Sequence, residues 1–508
     1  MKNLTALFYP ESIAVVGATE NTLKWGSYIL TNILDGGYRG KVHPVTVRGD
    51  TVYGRKAYRT LRDIEGAVDL VFITTPADTV MEVMRDCAAK HIANVVLITS
   101  GFSETGEKGA ALEENVNAFA REHHIRVVGP NTMGIVNTAS SLYATGSHVR
   151  PRKGGISIIT QSGNVGNQIM EWAEQESIGI GKFVGSGNEG VLSCEDYLEY
   201  LADDEDTSVV LMYIEGVDNG RRFREIAEYT TRKKPVIALK AGRTAVGSKA
   251  AQSHTGAMAG SHKTYESVLK QSGVILAHTP TELLTISSAF DSMPLPKGKR
   301  VGVVTLGGGW GVITADECEE RGLELPPLPR DVYERLDALL PPFWSRGNPV
   351  DLVGQPDIDL FFAATDAMVA SDAFDAVILL GMAGSGKFVT RIFEARQRLG
   401  FAKEKEIDEF KKIFADRQSK FLDNIVDLME KYRKPVYPVA LISSPGDEIV
   451  HGKKGSAYSV ILYSSPEEAV FCLDKQYEYS RYLRKRSVGY EEHCAGSDSK
   501  RPESAFRI

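Results

Sequence analysis

Short runs of mainly apolar residues, rich in Val and Ile, alternate along the chain with longer stretches in which apolar positions recur every three or four residues. The first such runs are SIAVVG (12–17), HPVTV (43–47), VDLVFIT (68–74), ANVVLIT (93–99) and RVVG (126–129). Strands apolar at nearly every position are buried on both faces, which predicts parallel sheets covered by helices. SYILTNILDGG (27–37) and DTVMEVMRDCAAKH (78–91) carry helical spacing between them. Together these elements predict one doubly wound domain over residues 1–140.

The pattern then restarts twice. After the basic link RPRKGG (150–155) come ISIIT (156–160), SVVLMYIE (208–215), PVIALK (235–240) and VILA (274–277). They predict a second domain over 150–292. After MPLPKGK (293–299) come RVGVVTLGGG (300–309), AVILLG (376–381), PVYPVALIS (435–443) and SVILY (459–463), predicting a third over 299–486. The charged segment 402–434 has an amphipathic helical pattern suited to a solvated face. Residues 487–508 are polar and aperiodic and read as a tail. The fold class expected is α/β, with three doubly wound domains.

Length agrees, since 508 residues at about 150 per domain give about three. With 43% hydrophobic and 25% charged residues the composition is that of an ordinary globular protein. A net charge of −7 argues against non-specific nucleic-acid binding but leaves room for a local basic patch that holds phosphate. Cys87, Cys194, Cys318, Cys472 and Cys494 are scattered, with no CxxC or Cys/His ligand spacing, so neither disulfides nor a metal site is expected. The N-terminus has no apolar signal core, and no run reaches the roughly 20 residues of a membrane span. The expected setting is cytoplasmic, with no membrane and no nucleic-acid partner.

Each predicted domain opens with a strand, a glycine-rich turn and a helix: GATENTLKWG (17–26), QSGNVGN (161–167) and GGGWGVI (307–313). Glycines allow a tight packing turn. They also leave backbone N–H groups and a helix dipole free to bind an anion. In the first turn a dinucleotide fingerprint would need glycines at 17, 19 and 22, but the chain has Gly17, Thr19 and Thr22, with the next glycine at Gly26. Two threonine hydroxyls and Lys24 suit a phosphate-bearing ligand held in another manner. A further stretch, AQSHTGAMAG (251–260), sets His254 in a loop of small residues with neither helical nor strand patterning.

VGPNTMGIVN (128–137), ITQSGNVG (159–166), LKAGRT (239–244) followed by SHTGAMAG (253–260), and NPVDLVG (348–354) occur in this order. On these motifs the chain, over about residues 5–485, resembles the α-type subunit of NDP-forming acyl-CoA synthetases, relatives of succinyl-CoA synthetase. The resemblance implies a Rossmann-like CoA-binding domain followed by two flavodoxin-like domains. It implies the reaction acyl-CoA + ADP + phosphate ⇌ carboxylate + ATP + CoA, through an acyl phosphate and a phosphohistidine. His254 would carry the phosphoryl group, in a loop small enough to swing, and Glu215 would orient its imidazole. Ser162, Gly163, Asn164, Gly308 and Gly309, at two helix N-termini, would bind phosphate. Gly17, Thr19, Thr22, Lys24, Thr75, Pro76, Ser100, Gly101 and Phe102 would line the CoA groove, with Asn131 near the thioester end.

Two stretches depart from the family pattern: Glu189 and Gly190 follow the SGN run where relatives carry an aspartate, and Trp310 stands in the third turn. No GxxxxGK[ST] loop and no ATP-grasp stretch is legible, so ADP/ATP and Mg2+ are expected on a separate ATP-grasp β subunit, in an α2β2 assembly by resemblance. The alternatives are a CoA-dependent acyl transferase without nucleotide chemistry, and a non-catalytic CoA- or acyl-CoA-binding protein.

Overall fold

The computed structural model describes residues 4–247, 249, 262–354, 357–383, 385–401, 404–441 and 448–494. The chain divides between Asp291 and Ser292 into two compact units, the first also taking in a short segment that ends at Val450.

The first unit holds two sheets. One consists of β1 (Ser12–Val16), β2 (Lys41–Val45), β5 (Leu70–Ile73), β6 (Asn94–Leu97) and β7 (Arg126–Val128), all parallel, in the order β2-β1-β5-β6-β7. A short hairpin of β3 (Thr51–Val52) and β4 (Arg55–Lys56) follows β2. Successive side chains of a strand point to opposite faces. Ile13 and Val15 accordingly enter one apolar cluster, while Ala14 and Val16 enter another. The strand order reverses direction at β1, with β2 on one side and β5 on the other. Such a switch point opens a crevice at the carboxyl ends of the strands.

The second sheet has the order β14-β13-β12-β10-β11-β8-β9. It contains β8 (Gly134–Asn137), β9 (Leu142–Thr145), β10 (Lys153–Thr160), β11 (Ile180–Gly185), β12 (Val209–Ile214), β13 (Val236–Lys240) and β14 (Ile275–Leu276). The strands from β14 to β11 are parallel, and β8 and β9 run antiparallel at the edge. The chain thus enters the second sheet at Gly134, ahead of residue 140. A single apolar cluster runs from Ile13, Leu70 and Phe72 of the first sheet through Ile135 and Ala144 to Ile159, Val210 and Met212 of the second.

The second unit is built on a parallel sheet of β15 (Val301–Thr305), β16 (Val350–Asp351), β17 (Ala376–Leu380) and β18 (Val436–Val439), ordered β16-β15-β17-β18. A two-stranded sheet of β19 (Val450–Gly452) and β20 (Ser459–Ile461) completes the strands. The charged segment is a helix over Glu404–Tyr432. The final helix, Pro466–Cys494, continues past residue 486 into the stretch read from sequence as tail. No helix among the described residues is long and apolar enough to cross a membrane.

Candidate functional site

The crevice at the switch point is a groove of about 960 Å3. Its floor is the turn after β1. Gly17 has φ +90°, and its N–H donates to the Val45 carbonyl at 3.0 Å, which binds the turn to β2. Asn21 and Thr19 brace the loop: the Asn21 N–H donates to Thr19 Oγ1 at 3.2 Å and the Leu23 N–H to Asn21 Oδ1 at 3.0 Å. The helix Trp25–Asp35 then starts, and no side chain caps its N-terminus. Its opening N–H groups and its dipole are directed at the groove, the arrangement that binds phosphates elsewhere. Gly26 lets the helix come this close, since a Cβ there would lie 2.0 Å from the Gly17 carbonyl oxygen.

Gly17, Thr19, Lys24, Thr75, Pro76 and Ser100 all line the groove. Thr22, Gly101 and Asn131 do not, and Phe102 is wholly buried in the core. Arg48 and Arg59 also line the groove, joining Lys24 as a second and third cation. They offered no motif: Arg48 follows β2, and Arg59 follows the β3–β4 hairpin.

A second constellation occupies the carboxyl edge of the second sheet. Ser162 caps the helix Gly163–Gln175, its Oγ accepting from the Val165 N–H at 3.5 Å. Gly163 leaves room for Met133, whose Cγ would lie 2.2 Å from a Cβ there, so the GPNTMG and QSGN motifs need each other sterically. Gln161 Oε1 accepts from the backbone N–H groups of Glu215 and Gly216 at 2.5 and 3.0 Å, and Nε2 donates to the Gly216 carbonyl at 2.9 Å. The Ser162–Asn164 turn and Glu215 are thereby held side by side on neighbouring strands. His254 lies outside the described residues. Gly308 and Gly309 open the helix Gly308–Glu320 of the second unit, where a Cβ on Gly308 would meet Asp351 Oδ2 at 2.9 Å.

The SGNEG run packs between the two sheets of the first unit. Asn188 N–H donates to the Pro130 carbonyl, and the Asn188 amide donates to Ser103, Glu104 and Glu113 at 3.0, 2.7 and 3.0 Å. Asn131, at φ +58°, donates from its side chain to Asn188 Oδ1 at 3.3 Å. Burial works against the Glu104 carboxylate, but the Asn188 amide and the N–H groups of Gly101 and Phe102 hold it below its usual range. Glu189 follows at φ +58°. Burial pushes its carboxyl up to about 7, with Ser186 and Gln161 pulling it down and Glu195 pushing it up. Ligand-type atoms of Glu189, Cys194 and Glu195 lie within 4.8 Å of one another. Burial drives the Cys194 thiol well above its ordinary value, and the neighbouring Glu189 and Glu195 carboxylates push it the same way.

Three family models match in succession: a CoA-binding domain over residues 11–138, a succinyl-CoA ligase-like flavodoxin domain over 153–290 and a ligase-CoA domain over 301–383. The α subunit of acetate–CoA ligase (ADP-forming) II from Pyrococcus furiosus is 42% identical over 378 residues, covering 74% of this chain and 82% of that one. Acetate–CoA ligase (ADP-forming) from Methanocaldococcus jannaschii is 40% identical over 351 residues, 69% of this chain. The chain spans only about half of that relative, 49% of its length. A solved structure of acetyl-coenzyme A synthetase 1 from Ca. Korarchaeum cryptofilum, in complex with phosphate and ADP, matches with a TM-score of 0.80 and 31% identity over 96% of this chain and 99% of that one.

Proposed function

Because the chain belongs to the family of ADP-forming acyl-CoA ligases, we propose that it is the α-type component of an acid–thiol ligase that interconverts acyl-CoA, ADP and phosphate with carboxylate, ATP and CoA. The observation that carries this reading is the groove of the first sheet, in which an uncapped helix N-terminus meets Lys24, Arg48 and Arg59. CoA bears three phosphoryl groups. Cations and backbone N–H donors at one strand edge are the chemistry that holds them.

In this reading a phosphate oxygen attacks the thioester carbonyl and the CoA thiolate leaves, giving an acyl phosphate. The His254 imidazole then attacks phosphorus and the carboxylate departs. Finally a terminal oxygen of ADP takes the phosphoryl group and the imidazole is restored. Glu215 orients the imidazole by accepting a proton from its far nitrogen, as carboxylates do for reactive histidines. The N-terminal turn at Ser162, Gly163 and Asn164 supplies donors for the phosphoryl oxygens, and Gly308 and Gly309 have the same role. Asn131, close to the SGNEG run, belongs at the thioester end. The nucleotide and its Mg2+ sit on an ATP-grasp β subunit, in an α2β2 complex.

Calorimetry tests the first half. CoA should bind, and Lys24→Ala should weaken it about tenfold, the loss of one charge-assisted contact. NAD binding as tightly as CoA would overturn the assignment. For the second half, His254→Ala should abolish ATP formation in the complex while leaving CoA affinity unchanged. An acid-labile phosphate should map to His254, and its appearance on any other residue sinks the mechanism.

A further inference from the structure

Lys240 ends β13 and is buried, with 9% of its surface exposed. Its ammonium donates to the Glu215 carbonyl at 2.8 Å and the Ala241 carbonyl at 2.7 Å, and lies 4.6 Å from the centroid of the Tyr265 ring. Its hydrogen bonds among the described residues go to carbonyl oxygens, and the Glu215 carboxylate acts on its charge from nearby. The Tyr265 hydroxyl in turn accepts from the Val217 N–H at 3.2 Å. These partners have a common geometry. Ala241 begins the segment that leaves β13, and Tyr265 stands in the first turn of the helix His262–Gln271, on which the chain returns. Glu215 and Val217 follow the neighbouring strand β12.

We propose that Lys240 is a positioning residue for phosphoryl transfer, clasping both flanks of the segment 241–264 against the backbone of Glu215 and supplying positive charge at that sheet edge. The proposal rests on the reading that His254, within this segment, carries the phosphoryl group. Burying an ammonium costs solvation that an apolar side chain would not lose. Burial pulls its pKa down, and the Glu215 carboxylate pulls it back up. Glu215 from β12 is the charged group acting on Lys240, and Tyr265 from the returning helix is its titratable neighbour. An arriving phosphoryl dianion adds its negative charge to that of Glu215 and holds the ammonium in its protonated form.

Two measurements test it. In the complex that makes ATP, Lys240→Met should lower kcat about tenfold with CoA affinity unchanged, as expected for loss of a hydrogen-bonded charge. Wild-type kcat should fall on the alkaline side as Lys240 loses its proton, and Lys240→Arg, which stays charged, should not show that fall. Wild-type kcat in Lys240→Met, or an alkaline fall that persists in Lys240→Arg, overturns the proposal. Hydrogen exchange on the full chain alone probes the clasp directly. Lys240→Met and Tyr265→Leu should each speed exchange in the helix 262–271, and unchanged protection in both overturns the clasp. If no phosphohistidine forms in the wild type, the functional reading fails while the exchange result still decides the clasp.

Discussion

The carboxyl of Glu189 shows what burial does to a single residue. Its folded-state value of about 7 stands above the ordinary 4.5, so between those values the native chain keeps a proton that the unfolded chain has released. The stability linked to this group is therefore full below about pH 4.5 and is lost as pH rises to about 7, by at most about 3 kcal/mol. Glu189→Gln, a neutral side chain of the same shape, should remove this loss. Urea unfolding at about pH 5 and about pH 8 reads it: the wild type should lose more stability between the two than the variant does. Equal losses would mean that Glu189 is solvated, contrary to the structure. Because Glu189 touches Gln161, and Gln161 carries the backbone of Glu215, the same substitution also tests whether the acid at this position matters to the sheet edge.

At the scale of elements, the close approach of the helix Trp25–Asp35 to β1 makes the groove. Gly26→Ala would drive a methyl into the Gly17 carbonyl, so the helix must tilt away and take its N-terminal donors with it. The expected result is CoA affinity reduced about tenfold or more and stability lowered by about 1–3 kcal/mol, measured by calorimetry and thermal unfolding. Unaltered affinity would mean that the helix N-terminus does not hold the ligand. Gly26 was visible in the sequence only as a glycine out of place for a dinucleotide fingerprint. β1, β5 and β6 were legible because both of their faces are buried and, after a polar first residue in β1 and β6, their residues are apolar. β11 was hidden by its own composition. Gly181 packs near the Gly154 backbone, and Lys182 is buried by pairing with Asp204 at 2.7 Å, so IGKFVG lacks the look of a core strand. β8 lay inside a stretch legible as a motif and β9 beyond it, and the place of their hairpin at the edge of the second sheet depends on pairing with β11. Arg48 and Arg59 reach the groove through tertiary folding alone, and no local pattern reveals that.

For the whole molecule, the three matched models are CoA-binding and ligase domains, and the Pyrococcus relative is named as one subunit of its enzyme. The chain by itself should accept phosphate on His254 or not turn over, and should form ATP only when an ATP-grasp subunit is added. Following ATP from acyl-CoA, phosphate and ADP with and without that subunit decides it, and steady ATP formation by the chain alone would refute the division of labour. Within the first unit, Tyr9 hydrogen-bonds Asp206 across 197 positions of sequence, and the apolar cluster that begins at Leu4 continues into β10 and β12. A gene cut near residue 150 would therefore sever one core and leave greasy halves, whereas a cut at 291/292 separates the units except for the short segment ending at Val450, which belongs with the first. Recombination that shuffles the modules of such ligases must keep the first unit whole, so the ligand groove and the Glu215 edge are inherited together.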